Sequence, residues 1–178
     1  MNKKEELLIH AAQIIYEEGM HKLTFNHLAR KSNITKGGVL YHFESKSNLL
    51  HQMNEMAVKK FEDILDCYTS KLTGPSLFTR AYAYATLELF ENPETALLPA
   101  VFISSLEDKT SFEVWKNVSK DWECRFLNDS GNYIENLKLK LICDGVWFSI
   151  LYATDDLFNY RIRNLILNLC SLLEREGG

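Results

Sequence analysis

Two lysines of this chain lie where their side chains could bind anions. Lys36 and Lys46 each fall in the first turn of a predicted helix, where the helix dipole disfavours a cation. An external anion would remove this conflict, and helix N-termini are suited to phosphate groups. The pattern favours a surface that contacts phosphates, and the alternative is a pair of solvated lysines near fraying helix ends.

The surrounding residues 24–50 predict two short helices, a tight turn and the start of a third helix. Thr24 is an N-cap residue type at the start of the first helix. Asn33 is predicted to form the turn, because after glycine asparagine best tolerates a left-handed backbone. The second helix is predicted over residues 35–43. This is the layout of a helix-turn-helix motif that binds DNA.

The second of these helices has two predicted faces. Val39 and Phe43 are four residues apart and form its buried pair. Gly37, Gly38 and Tyr41 fall on the opposite, outward side. Each glycine costs roughly 1 kcal/mol in a helix interior relative to alanine, so we expect the backbone to approach a partner surface closely here.

The run from Ile34 to Phe43, followed by Ser45-Lys46 and Leu49, resembles the DNA-binding signature of the tetracycline-repressor (TetR) family of bacterial transcription regulators. The resemblance covers residues 5–55, and beyond residue 60 only the length and the helical pattern match. Leu40 stands where the family commonly has tyrosine, Tyr41 takes the variable position beside it, and Asn33 replaces a common glycine. An apolar stripe that ends at Gly19 supports the resemblance; it consists of Leu7, Leu8, Ala11, Ile14 and Ile15.

The resemblance implies a DNA-binding transcription regulator, and we expect a repressor that a small molecule releases from a palindromic double-stranded DNA operator. Lys36, Tyr41 and Asn26 are the candidates for base contacts. The full set of expected DNA-binding residues is Thr24, Asn26, Thr35, Lys36, Gly37, Gly38, Tyr41, His42 and Lys46.

The charges divide the chain in the same way. Residues 1–60 hold nine Lys or Arg against six Asp or Glu, a formal +3, and the remainder holds eleven against eighteen, a formal −7. A basic end on an acidic protein indicates one surface that faces nucleic acid. We therefore predict a DNA-binding domain over residues 1–46 and a ligand-binding and dimerisation domain over residues 47–178.

The rest of the chain predicts helices throughout, with no alternating strand pattern and no internal repeat. The fold class is therefore predicted as all-α, with about nine helices in a three-helix DNA-binding domain and a C-terminal helical bundle. Beyond the DNA-binding domain the predicted helices cover residues 47–72, 76–91, 94–107, 111–128, 133–153 and 156–175.

The last two predicted helices are apolar on more than one side. One side can pack on the core of the chain, and the other is expected to pack on a second copy in a two-fold four-helix interface. The TetR resemblance implies the same homodimer, whereas full burial within a monomer is the alternative. The expected interface residues are Ile142, Val146, Ile150, Ile162, Leu165, Leu169 and Leu172.

The predicted bundle is rich in large aromatic residues. The resemblance implies a ligand cavity there, and an aromatic lining with one carboxylate suits an apolar or cationic small molecule. Most of these rings also fit a plain core, and an acidic residue on such a helix is more often solvated. The candidate ligand-binding residues are Tyr82, Glu88, Phe102, Trp115, Trp122 and Trp147.

The sequence gives little support to other classes of protein. It contains no HExxH, GxSxG, P-loop or dinucleotide motif, and its five histidines show no metal-ligand spacing. We therefore expect no enzyme, cofactor or metal. The four cysteines form no CxxC pair, and the longest apolar run is too short for a membrane span. These features favour a cytoplasmic location. The alternative functions are a helical adaptor that binds protein and a ligand-independent regulator without an inducer.

Overall fold

The computed structural model describes residues 2–91, 98–149 and 156–175, with the side chains of residues 90 and 156–159 left undescribed. Within these residues the chain forms nine α-helices, two short 3-10 turns and no strand, which confirms the predicted all-α class. Predicted helix residues 94–97 and 150–153 lie outside the described part. The helices are α1 (Lys3–Glu18), α2 (Phe25–Lys31), α3 (Lys36–His42), α4 (Lys46–Lys71), α5 (Leu77–Glu91), α6 (Leu98–Ser104), α7 (Lys109–Leu127), α8 (Tyr133–Ser149) and α9 (Asp156–Arg175).

The helices form two compact units. The first unit comprises the residues up to 59 together with 98–118, and the second comprises 60–91 together with the described residues from 119 onward. Both α4 and α7 therefore contribute residues to both units. The predicted division after residue 46 separates a DNA-binding domain from a ligand-binding and dimerisation domain. These are functional assignments that the two compact units do not test, so the division stays a prediction.

In the first unit, α1 packs against α2 and α6. The stripe predicted from the sequence, which includes Leu7 and Ile14, is buried as expected. Polar contacts fasten α2 to α1, since Lys31 pairs with Glu17 at 2.7 Å. The His10 ring also hydrogen-bonds the buried Ser32 hydroxyl at 2.8 Å. These contacts hold the end of α2, from which the chain turns into α3.

A second group of polar contacts in the first unit surrounds the start of α7. The Asp108 carboxylate accepts hydrogen bonds from the Ser111 amide at 2.9 Å and from the Ser47 hydroxyl at 2.6 Å. Further along, the Trp115 indole donates to the Asn54 side chain at 2.6 Å, and both side chains are buried. Asp108 therefore caps α7 and ties it to the first turn of α4.

We expect Asp108→Asn to make the stability of the protein less dependent on acid pH. Partial burial raises the pKa of the Asp108 carboxyl, but hydrogen bonds from Ser47, Thr110 and Ser111 outweigh this effect and hold the pKa below its ordinary range. A carboxyl with a depressed folded-state pKa contributes stability above its unfolded pKa of about 3.9. That contribution is lost as the pH falls toward the folded-state pKa.

Urea titrations across an acid pH series would measure this effect. The free energies of unfolding of the wild type and Asp108→Asn should differ near pH 6. This difference should begin to shrink below about pH 4 and should continue to shrink as the pH falls. Glu44→Gln, at an exposed position shortly before α4, is the matched control and should keep the wild-type pH dependence. A constant difference between Asp108→Asn and the wild type over the whole series would contradict the prediction.

Aromatic rings fill the core of the second unit. The Phe61 ring lies edge-on to Tyr82, Trp122 and Trp147, with centroids 5.3, 5.2 and 5.0 Å away. The buried Tyr82 hydroxyl donates to Asp144 at 3.0 Å. Burial and the nearby Asp144 charge raise the pKa of Tyr82, so this phenol stays protonated. We call these four rings the Phe61 cluster.

The exposed apolar face of α8 differs from the predicted one. Val146, expected at the interface between subunits, is only 2% exposed and packs inside its own protomer. Leu141 and Phe148 are the exposed residues instead, because the opposite side of α8 faces the core. On α9, Leu165 and Leu172 are 44% and 55% exposed. The other predicted interface residues Ile142, Ile162 and Leu169 are half-buried, and Ile150 lies outside the described residues.

Candidate nucleic-acid interface

The turn between α2 and α3 has the geometry that the sequence predicts. Asn33 has φ 52°, in the left-handed region, which confirms its assignment as the turn residue. The amide of Asn33 donates to the Arg30 carbonyl at 3.2 Å, and that of Ile34 donates to the Ala29 carbonyl at 3.0 Å. These bonds satisfy carbonyls at the end of α2, so the reversal is locally stable.

Three hydroxyl side chains cap the helices of this region. The Thr24 hydroxyl accepts from the His27 amide at 3.1 Å, and the Thr35 hydroxyl accepts from the Gly38 amide at 3.1 Å. Ser45 caps α4 in the same way, through the amide of residue 48. Thr24 and Thr35 therefore fix the helix starts, while each hydroxyl retains its own proton for a hydrogen bond to an outside acceptor.

The two faces of α3 differ as predicted. Val39 and Phe43 are fully buried, whereas Tyr41 is 86% exposed. Gly37 is also exposed, and a Cβ placed on it would meet only the Thr35 hydroxyl, 3.7 Å away. α3 therefore presents a flat surface beside a large projecting ring.

Gly38 is only half-exposed, although the sequence pattern placed it on the outward side. A Cβ at Gly38 would lie 3.2 Å from the Ile34 side chain. Close packing inside the motif thus accounts for Gly38, because Ile34 occupies the space beside it. The expected close approach of a partner surface to the helix backbone therefore applies to Gly37.

The polar side chains of this surface differ in the contacts that they make with the rest of the protein. Lys36 is exposed and makes no hydrogen bond or ion pair with the described residues. Lys46 donates to the Met20 carbonyl at 3.4 Å, so its position is partly fixed. The half-buried His42 ring packs edge-on against Tyr41 at 5.1 Å. Asn26 is exposed at the start of α2.

All nine residues expected to contact DNA are exposed or half-buried, and they lie on α2, on α3, at the caps before these helices and at the first residue of α4. An exposed short helix with a lysine and a tyrosine, set by a left-handed asparagine turn, is the geometry of a helix that enters the major groove. The fold and this surface define the class as a helix-turn-helix DNA-binding protein. Whether each of the nine residues contacts DNA stays a prediction.

Comparison with known families places the chain within that class. Residues 4–53 match the family model described as bacterial regulatory proteins, tetR family, and residues 77–173 match a tetracyclin repressor-like C-terminal domain. The chain belongs to the TetR family of transcription regulators. No curated protein matches the chain significantly in sequence.

Solved structures share the fold over nearly the whole chain at low identity. A transcriptional regulator from Rhodococcus sp. Rha1 superimposes with a TM-score of 0.74 at 12% identity, covering 97% of this chain and 96% of that one. The ketosteroid regulator KstR2 of Mycobacterium tuberculosis gives 0.70 at 14% identity, covering 98% and 96%. The multidrug-binding protein EbrR, solved with malachite green, gives 0.64 at 14% identity, covering 95% and 98%.

The candidate ligand-binding residues belong to both units, and each group is described within its own unit. Tyr82, Trp122 and Trp147 belong to the Phe61 cluster of the second unit. Phe102 and Trp115 pack edge-on at 4.9 Å in the first unit. Which of these residues bind a ligand stays a prediction.

The remaining candidate, Glu88, lines a cavity of about 460 Å³ formed by α4, α5 and α9 in the second unit. The sequence interpretation missed the cavity. Tyr84 and Glu88 are four residues apart on α5, which could have indicated a shared face, but their partners on α4 and α9 are distant in sequence. The other described lining residues are Tyr68, Tyr84, Leu87, Glu91, Arg163 and Leu167.

The described residues hold neither a cluster of metal ligands nor a membrane-spanning helix. No group of three or more His, Cys, Asp or Glu side chains there could hold a metal ion. Among the helices that the structure describes, none is long and apolar enough to cross a membrane.

Proposed function

We propose that this regulator binds a palindromic operator as a homodimer, with α3 of each protomer in the major groove. One observation carries the proposal: α3 is fixed from inside by Val39 and Phe43, while its outer side exposes Lys36 and Tyr41. A helix held on one side and polar on the other can present its side chains to base edges without rearrangement.

The residues have distinct proposed roles. Lys36 has no internal partner among the described residues, so it can neutralise a phosphate at the groove edge or contact guanine. Tyr41 is 86% exposed and can contact a phosphate or a thymine methyl group. Asn26 is placed for a base contact. Phosphate contacts are further proposed for Thr24, Thr35, His42 and Lys46, with Gly37 in the closest part of the backbone.

Fluorescence anisotropy with labelled promoter fragments would test this function. Binding should be selective against a scrambled competitor, and the logarithm of the affinity should fall steeply with the logarithm of the salt concentration. A folded protein that fails to bind any fragment of a genomic screen would contradict the proposal and favour a protein-binding adaptor.

We expect Lys36→Ala to weaken binding to all DNA sequences about tenfold and to reduce the salt slope by about 1 for each protomer. The reason is the loss of one phosphate contact in each half-site. The measurement is the same anisotropy titration at several salt concentrations. Lys120→Ala, which removes an exposed lysine from α7, is the matched control. An unchanged slope for Lys36→Ala would show that Lys36 does not contact phosphate.

Control by a small molecule is the second part of the proposal. We infer that the protein is a cytoplasmic repressor and that a ligand bound in the C-terminal part favours a dimer state with the wrong half-site spacing. Similarity to KstR2 and EbrR supports this inference, since one is a ketosteroid regulator and the other is a multidrug-binding protein. Reporter assays with and without the protein would test the sign of regulation, and a fall in expression without the protein would contradict a repressor.

A further inference from the structure

We propose that the cavity between α4, α5 and α9 binds a flat aromatic organic cation. This inference rests on the proposed function, in which a small molecule controls DNA binding, and it assigns both the site and the chemical class of the ligand. The Phe61 cluster is a poorer candidate site. Its four rings pack against one another and are at most 6% exposed, so a ligand there would have to displace buried side chains.

The cavity has the size and the walls for one aromatic molecule. Its volume is about 460 Å³, and small-molecule sites commonly measure about 300–1,000 Å³. The Tyr68 and Tyr84 rings stack with centroids 5.5 Å apart and planes 23° from parallel. Both rings line the cavity together with Leu87 and Leu167. A flat ring system can pack against this tyrosine and leucine wall.

The charges of the cavity favour a cation. Arg163 already pairs with Glu91, so neither charge is left free for a ligand. Among the described lining residues, Glu88 is the one charged side chain outside an ion pair. Lys71, the cation near Glu88, lies outside the lining, 5.8 Å from the centre of the Tyr68 ring. A bound cation would therefore gain the Glu88 carboxylate and two electron-rich rings.

The Tyr68 hydroxyl reinforces this arrangement. Partial burial, together with the hydrogen bond and charge of Glu88, raises the pKa of Tyr68 to about 12. The phenol therefore remains a neutral hydrogen-bond donor to Glu88 at neutral pH. A single hydrogen bond from a neutral phenol orients the carboxylate and adds no positive charge of its own.

The position of the cavity on α9 keeps it apart from the predicted dimer surface. Leu167 lines the cavity, whereas Leu165 belongs to the exposed apolar face. Two residues apart on a helix correspond to about 200° of rotation, so the two side chains point in nearly opposite directions. A dimer formed through Leu165 and Leu172 would leave this side of α9 uncovered.

Calorimetric titration without DNA tests the assignment, with N-methylacridinium as the permanent cation and acridine as its neutral counterpart at pH 8. The wild type should bind the cation at least about tenfold more tightly than the neutral ring. Glu88→Gln should remove this difference, and Tyr84→Leu should weaken binding of the cation. Glu135→Gln changes a half-buried glutamate on α8 and is the matched control that should bind like the wild type.

The opposite results would overturn the proposal. One such result is that N-methylacridinium does not bind to the wild type. The other is that this cation binds to the wild type and to Glu88→Gln with equal affinity. Circular dichroism of each variant establishes that it is folded before titration. Because no DNA is present, a failure of the operator-binding proposal would leave these results unchanged, and the salt series detects that failure separately.

Discussion

Replacing Leu165 and Leu172 by glutamate is expected to give a monomer whose operator affinity is lower by about a hundredfold or more. The two residues are seven apart on α9 and therefore share one face, and they are 44% and 55% exposed in the protomer. In a two-fold interface the double variant would bury four carboxylates near one another, which opposes association. A monomer then binds only one half-site at a time.

Sedimentation velocity and operator anisotropy together would measure both effects. Tyr160→Glu is the matched control, because Tyr160 is an exposed apolar residue of the same helix that points about 140° away from Leu165. This control should remain a dimer and keep its operator affinity. A Leu165→Glu/Leu172→Glu variant that still sediments as a dimer would refute the interface. A monomer with wild-type operator affinity would refute the need for two protomers.

Arg80→Ala is expected to lower the free energy of unfolding by about 3 kcal/mol. The Arg80 side chain is 1% exposed and lies within the second unit. Its Nε donates to the Pro75 carbonyl at 3.0 Å, and its Nη2 donates to the Thr73 carbonyl. The guanidinium therefore satisfies carbonyls of the segment that follows α4, and alanine would leave them without these donors.

The ion pair of Arg80 with Glu174 is expected to contribute much less. The two side chains are 3.2 Å apart, but Glu174 is 62% exposed, so water screens the interaction. Glu174→Gln should cost under about 1 kcal/mol. Urea unfolding at one fixed protein concentration would compare the variants, because the stability of a dimer depends on concentration. Equal losses for Arg80→Ala and Glu174→Gln would show that the ion pair is the main contribution.

Local signals made the DNA-binding part predictable. A capping threonine, a left-handed asparagine and a buried pair four residues apart each depend on neighbours within a few residues. The structure confirms Thr24, Asn33 and the Val39–Phe43 pair in these roles. The close packing of Ile34 against Gly38 was less predictable, because Ile34 belongs to the turn that precedes α3.

Helix α8 shows why helical periodicity alone did not identify the exposed apolar face in the C-terminal part of the chain. Its apolar residues surround most of the helix, so the sequence pattern could not indicate which side faces the core. The structure buries Val146 and exposes Leu141 and Phe148. Packing against neighbouring helices decides this choice, since α8 contacts both α5 and α9. For that reason the exposed apolar side of α8 is not the side that the sequence interpretation assigned to the dimer interface.

The sequence by itself determined the all-α class, the helix-turn-helix motif and the outward Lys36–Tyr41 surface, because helix capping, turns and helical periodicity are encoded over short spans. Only the tertiary structure decided the burial of Arg80, the inward side of α8 and the Tyr68–Tyr84–Glu88 cavity. These features join residues from distant helices, and their positions follow from the packing of whole helices rather than from any local pattern.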